Sequence, residues 1–485
     1  MISATRDGEN TDFVMLNPLA PQHARRLTRV KGFGWDVMDV APNDQQVLMS
    51  EFVSAEETAI HLLDVGTGTL KRITPQPDNE KVAYWNAAFS RDGKGVYLTT
   101  DQASENARLA YLSLASGQIS WLPIKQQGAV ESFALSPDGR RLAYIVNEEG
   151  IGRLRLFDVS AGRGSEVPKL PVGIVSNLNW QSNDEVGFNL ETARYPADIY
   201  SLKVATHTIE RWTYSETGGV STDDFRDAEL IRWRSFDGRE ISGFLCRPPV
   251  RFTGARPVMI DIHGGPQLQA RPSYSGRYNY YLNELGMVII YPNVRGSFGF
   301  GKSFLALDNG ARRADALQDL RALLDWIKTQ PNFDSRRVVL RGESYGGYLA
   351  LALAVTDSAR IRGVIAESAI TSIPSYIENT DAALRPYLRA EYGDERKPQQ
   401  RSLLDTISPT GNVGKISVPM LLAAGKNDIR VPFAETEKLV RAAQARSLPV
   451  WYLLASNEGH IFGRKQNRDY LFYATAFFMQ QFVLN

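Results

Sequence analysis

The chain has 485 residues, 43% hydrophobic and 22% charged, with 55 basic against 54 acidic side chains. That length predicts two or more domains with large cores, and the near-zero balance leaves no field to draw nucleic acid or an anionic membrane. One cysteine, Cys246, excludes an internal disulfide and argues against a zinc cluster, and no apolar run reaches the length of a membrane span. In chain order, the opening MISATRDGENTDF carries neither the basic n-region nor the apolar h-region of a signal peptide. A cytoplasmic location is therefore expected, with an exported form open if the N-terminus is shortened.

The first 220 residues repeat. APND at Ala41, SRDG at Ser90, SPDG at Ser136 and QSND at Gln181 recur at intervals of 49, 46 and 45. Each follows an apolar strand pattern (WDVMDV, YWNAAF, VESFAL, VSNLNW) and precedes a second (QVLMSEF, GVYLTTD, RLAYIVN, EVGFNLE). A third and a fourth strand complete each unit, and the turn residues between them supply hairpin chemistry. Four strands in a repeat of about 45 residues is the pattern of a β-propeller. Residues 1–32 align with the latter part of the next repeat, ARRLT on LKRIT and TDFVMLN on TAIHLLD. The chain is thus expected to begin inside a blade, giving an incomplete, N-terminally shortened propeller of about four and a half blades. Open strand edges of that kind favour homo-oligomers.

The period stops after Thr213, and SETGGVSTDD at 215–224 is a Gly/Ser/Thr-rich connector. This divides the chain into propeller repeats at 1–224 and a second domain at 225–485. The second part offers eight strand patterns with helical segments between the later ones, among them ADALQDLRALLDWIK at 314–328. That order predicts an α/β-hydrolase fold with an eight-stranded, mostly parallel sheet. Within it, RVVLRGESYGGYLALALA at 337–354 reads as strand, G-x-S-x-G turn and buried helix, the context of a nucleophile elbow at Ser344. The glycines two residues either side of the serine suit a strained turn that leaves no room for Cβ atoms. The helix that follows aims its N-terminal N–H groups, Tyr345 first, at the place where an oxyanion develops.

A serine nucleophile needs a base, and only one of the five histidines follows Ser344. It is His460, in SNEGH after the apolar run VWYLLA. The chain order serine, acid, histidine then asks for an acid in between, at a strand's end. VPMLLAA delivers Asp428 in GKND, whereas Asp405 lacks a preceding strand and is the weaker candidate. Ser344, Asp428 and His460 are the expected catalytic set. No cofactor and no metal are expected.

HGGP at 263–266, NVRGSFGFGKSF at 293–304, GESYGG, GKNDIRVP at 425–432 and NEGH together resemble the prolyl oligopeptidase family of serine peptidases, nearest its acylaminoacyl-peptidase and dipeptidyl-peptidase-like branch. The resemblance covers the whole hydrolase half, and in the first half only the architecture. It implies a propeller capping the active site, cleavage of short peptides and Gly265 as the second oxyanion donor beside Tyr345. It places Tyr376 and Val431 as candidates for an apolar substrate wall, Tyr376 serving equally well as core packing. Arg295 in NVRGS reads as a structural cation. The acidic pairs Glu56–Glu57 and Glu148–Glu149 occupy hairpin-like positions where solvated charge is the plain reading. Two further functions stay open: an esterase using the same triad, and a catalytically silent propeller that acts as a binding module.

Overall fold

The structure is a computed structural model that describes residues 2–7, 10–77, 80–165 and 167–484. Among the described residues the first half forms five antiparallel sheets. Ile2–Asp7, Asn10–Asn17 and Ala20–Lys31 make a three-stranded sheet, and the four repeats that follow make one four-stranded sheet each. The two Asp-Gly hairpin signals work through the same contacts. Ser90 Oγ donates to Asp92 Oδ1 at 2.7 Å and Ser136 Oγ to Asp138 Oδ1 at 2.7 Å, while Gly93 and Gly139 take the positive φ the turns require. Neighbouring sheets face one another through apolar side chains, such as Leu48, Ile60, Phe89 and Leu98 between the second and third. Polar bonds also join them: Trp180 Nε1 donates to the Ala134 carbonyl at 2.9 Å, and Arg91 to that of Leu135 at 3.1 Å.

The second half is built on one eight-stranded sheet in the order Glu229–Arg234, Glu240–Cys246, Val288–Asn293, Arg256–Ile262, Phe333–Glu343, Gly363–Glu367, Met420–Gly425, Val450–Ala455. The first three strands pair antiparallel and the rest parallel. Both faces are covered, so the strands are apolar on both sides. Val338 and Leu340 point into the core beneath helices Asp315–Lys328 and Tyr345–Asp357, and Val339 between them points to the opposite face under helix Lys465–Met479. On that opposite face Phe478 is fully buried against Ile365 and Leu421, with its ring over Gly363. A Phe478→Ala change should cost about 3–5 kcal/mol through the cavity it leaves. Urea unfolding of the variant checks this. Cys246 closes its strand on the same face, buried, with burial pushing its thiol pKa up to about 12.

The two halves meet through polar and aromatic contacts. Arg271 of the hydrolase half holds Glu131 of the propeller half at 2.9 and 3.1 Å and donates to the Gly150 carbonyl at 2.8 Å. Asn147 donates to Gln269 Oε1 at 2.6 Å, and Ser303 Oγ to Glu105 at 2.6 Å. Phe52 packs on Tyr387 with centroids 5.5 Å apart, and Trp85 meets Phe298 edge-on at 5.7 Å. Two acidic-pair residues, Glu56 and Glu149, take part in such contacts, and Glu148 is paired within its own sheet. Glu56 binds Lys81 and accepts from Asn309, Glu148 binds Arg153 and Arg155, and Glu149 pairs with Arg232.

Candidate active site

Strand Phe333–Glu343 ends at Ser344, whose backbone sits at φ +57 and ψ −118 before helix Tyr345–Asp357 begins. The glycines flanking it are required by contact. A Cβ on Gly346 would overlap the Ile262 carbonyl oxygen and lie 2.7 Å from that of His263. One on Gly342 would overlap Gly346 and come within 2.7 Å of the Gly347 nitrogen. Ser344 is pinned through its own backbone, its N–H donating to the Glu367 carbonyl at 2.9 Å and its carbonyl accepting from Tyr348 at 3.0 Å.

Asp428 lies three residues beyond strand Met420–Gly425, and His460 five beyond Val450–Ala455, both at the C-terminal edge of the parallel strands. His460 Nδ1 is 2.7 Å from Asp428 Oδ2. The other oxygen, Oδ1, accepts from the Arg430 and Val431 backbone N–H groups at 2.8 and 2.9 Å, so the buried carboxylate is fixed from both sides. The loops that carry them are tied together by an Asn427 N–H to Glu458 carbonyl bond of 2.8 Å, and Ser368 Oγ donates to the His460 carbonyl at 2.8 Å. Asp405 lies elsewhere, exposed on helix Pro398–Ile407 with Arg401 3.9 Å away.

The HGGP turn runs beside the elbow, since a Cβ on Gly264 would stand 3.5 Å from Ser344 Cβ. Gly265 has φ +118, and a side chain there would meet the Leu268 nitrogen at 2.6 Å. His263 places Nε2 2.8 Å from Ser297 Oγ and Nδ1 2.9 Å from the Gly264 carbonyl. Burial holds its pKa down to about 4, from an ordinary 6.5. A folded value below the unfolded one means the neutral imidazole favours the fold above about 6.5 and that this contribution fades as pH falls towards 4. Thermal melts across that range should slope downwards on the acid side, and a His263→Gln variant should flatten the slope.

Tyr376, on helix Ile373–Asn379, is buried in the core against Tyr392, and Val431 is buried behind Asp428. Arg295 is buried against Asp319, its Nη2 2.7 Å from Oδ1, as a structural cation should be. Glu343 faces a cavity of about 200 Å³ that His460, Ser368 and Phe472 also line. Burial and the neighbouring Glu367 raise its carboxyl pKa, with Arg341 and His460 pulling the other way.

One group near the serine has no signature in the sequence. Arg313 is fully buried, ion-paired with Asp308, and donates to the Glu391 side chain and carbonyl at 2.8 Å. Tyr345 OH donates to the same Asp308 oxygen at 3.1 Å, and Gln267 Nε2 donates to Glu391 Oε2 at 2.8 Å. Burial raises the Asp308 carboxyl above the ordinary carboxylate range, against the pull of Arg313. These residues span positions 267 to 391, so no short window brings them together.

Sheet, elbow and a histidine–aspartate pair beyond it define an α/β-hydrolase site. Residues 272–484 match the model of the prolyl oligopeptidase family. It is 34% identical over 416 residues to dipeptidyl aminopeptidase BIII of Pseudoxanthomonas mexicana, covering 80% of this chain and 58% of that protein. It is 29% identical over 244 residues to the acylamino-acid-releasing enzyme of Rattus norvegicus, covering 48% of this chain and 32% of that one. The chain therefore spans less than two thirds of the length of these relatives. The crystal structure of a puromycin hydrolase superposes with a TM-score of 0.87 at 18% identity, over 97% of this chain and 73% of the other, which shows the shared fold of propeller and hydrolase.

Proposed function

We propose that this chain is a serine peptidase that hydrolyses short peptides through Ser344, His460 and Asp428. The observation that carries the reading is the 2.7 Å pair of His460 and Asp428 at the strand ends beside the Ser344 elbow. Ser344 Oγ attacks the scissile carbonyl while His460 Nε2 takes its proton, and Asp428 holds the Nδ1–H and stabilises the imidazolium. The oxyanion is held by the backbone N–H groups of Tyr345 and Gly265. His460 then protonates the leaving amine, an acyl-enzyme remains on Ser344, and water reverses the sequence. We place the propeller over the entrance, as an incomplete ring of about four and a half blades.

The relatives' names suggest two substrate kinds, peptides with a free N-terminal dipeptide and peptides with an acylated first residue. Glu56, Glu148 and Glu149 already serve arginine, lysine or asparagine partners, which favours a substrate whose N-terminus brings no charge of its own. Val431 is assigned to holding Asp428, with Tyr376 packing beneath the site. Fluorophosphonate labelling that depends on Ser344 supports the activated serine, and no labelling removes the peptidase reading. Matched blocked and free peptides should then show at least about tenfold higher kcat/KM for the blocked one. The reverse order would assign a dipeptidyl-peptidase activity instead.

A further inference from the structure

We propose that the buried guanidinium of Arg313, through Asp308 and Glu391, positions both halves of the oxyanion site at once. The inference rests on the peptidase reading above and names the residues that set its geometry.

The two donors come from unconnected segments, Tyr345 from the start of the helix after the elbow and Gly265 from the HGGP turn. A fixed distance between them therefore needs a shared support. Arg313 supplies it. On one side it pairs with Asp308, whose Oδ2 accepts from Tyr345 OH at 3.1 Å, and its guanidinium lies 5.1 Å from the Tyr345 ring centre. On the other it holds Glu391 at 2.8 Å, and the second oxygen of Glu391 accepts from Gln267 at 2.8 Å. Gln267 is buried two residues beyond Gly265, in a turn wound so tightly that a Cβ on Gly265 would overlap the Gln267 nitrogen. Moving Gln267 thus moves Gly265.

The support is also rigid. Arg313 and Asp308 have no exposed surface, and a Cβ on Gly296 would press on the Asp308 carboxylate at 2.5 Å, so this wall has no slack. Asp308 Oδ1 is buried with no hydrogen-bond partner. An unpaired carboxylate oxygen is costly to bury, so a device that only glued helix Arg385–Tyr392 to its neighbours would do better with apolar side chains of the same size. Each hydrogen bond that the two carboxylate side chains accept from a side chain other than arginine instead comes from an oxyanion segment. Gln267 Nε2 further donates to Tyr387 OH at 2.5 Å, and Tyr387 packs on Phe52 of the propeller half, so the same turn registers where the propeller sits.

Arg313→Met would strand two buried carboxylates and unfold the protein, so the deciding variants keep every charge. Tyr345→Phe removes the hydroxyl and keeps the ring, and Gln267→Met keeps the volume and loses the amide. Each should lower kcat roughly 10- to 100-fold with KM within about twofold, because the site is misplaced only for the transition state. Affinity for a peptide aldehyde, which forms a tetrahedral adduct on the serine, should fall by the same factor as kcat/KM. Unchanged kcat and aldehyde affinity in both variants, or a loss that follows the melting temperature alone, overturns the inference. If Ser344→Ala retained peptidase activity, the functional reading itself would fall, and that outcome is separate from these.

Discussion

Replacing Ser344 or His460 with alanine should lower kcat by roughly 10⁴- to 10⁶-fold on a peptide substrate while the melting temperature holds. Neither side chain is part of a buried apolar core, and the elbow is set by backbone contacts that alanine retains. Asp428→Asn should be nearly as damaging, by about 10⁴-fold, because an amide facing Nδ1 favours the wrong imidazole tautomer. The double variant Ser344→Ala with His460→Ala should lose little more than either alone, since the residues act as a unit. Single-turnover kinetics on a chromogenic peptide checks all four. Activity that survives in Asp428→Ala and disappears in Asp405→Ala would move the acid to the exposed helix.

Gly346→Ala should remove activity by another route, together with about 3 kcal/mol or more of stability. The added methyl overlaps the Ile262 carbonyl oxygen, and that strand cannot retreat because Met259, Ile260, Asp261 and Ile262 are hydrogen-bonded into the central sheet. A lowered urea midpoint together with lost fluorophosphonate labelling is the expected result. Full stability with full labelling would mean that the elbow has room that its contacts deny.

Much of this arrangement was legible in the sequence because its signals are local. The Asp-Gly and Asn-Asp turns fix hairpins within a few residues, and four of them in register gave the repeating sheets. The eight strands and their order in the chain were readable from apolar runs, and the elbow from five consecutive residues. His460 and Asp428 were found by chain order and strand ends, which the topology of the sheet imposes. Three things escaped. The helices between Ile373 and Asn412 are short, 7, 8, 10 and 4 residues, too few turns for an apolar period to repeat visibly in the sequence. Val431 donates its backbone N–H to Asp428, a contact that no side-chain pattern encodes. Arg313, Asp308 and Glu391 read as surface charges until folding buries them together, because charge alone does not tell a solvated side chain from a paired one.

The burial of Cys246 gives the molecule a silent thiol background. With its ionisation held near pH 12 and no exposed sulfur, it stays un-ionised and out of reach of maleimides at neutral pH. A cysteine introduced on the surface of either half would then be the single reactive one, without the native cysteine having to be removed. A fluorophore at exposed Ile199 in the propeller, paired with a genetically placed acceptor at exposed Tyr473 on the terminal helix, would report the separation of the two halves in otherwise unaltered protein. The polar seam through Arg271 and Glu131 makes that separation measurable as a function of ionic strength.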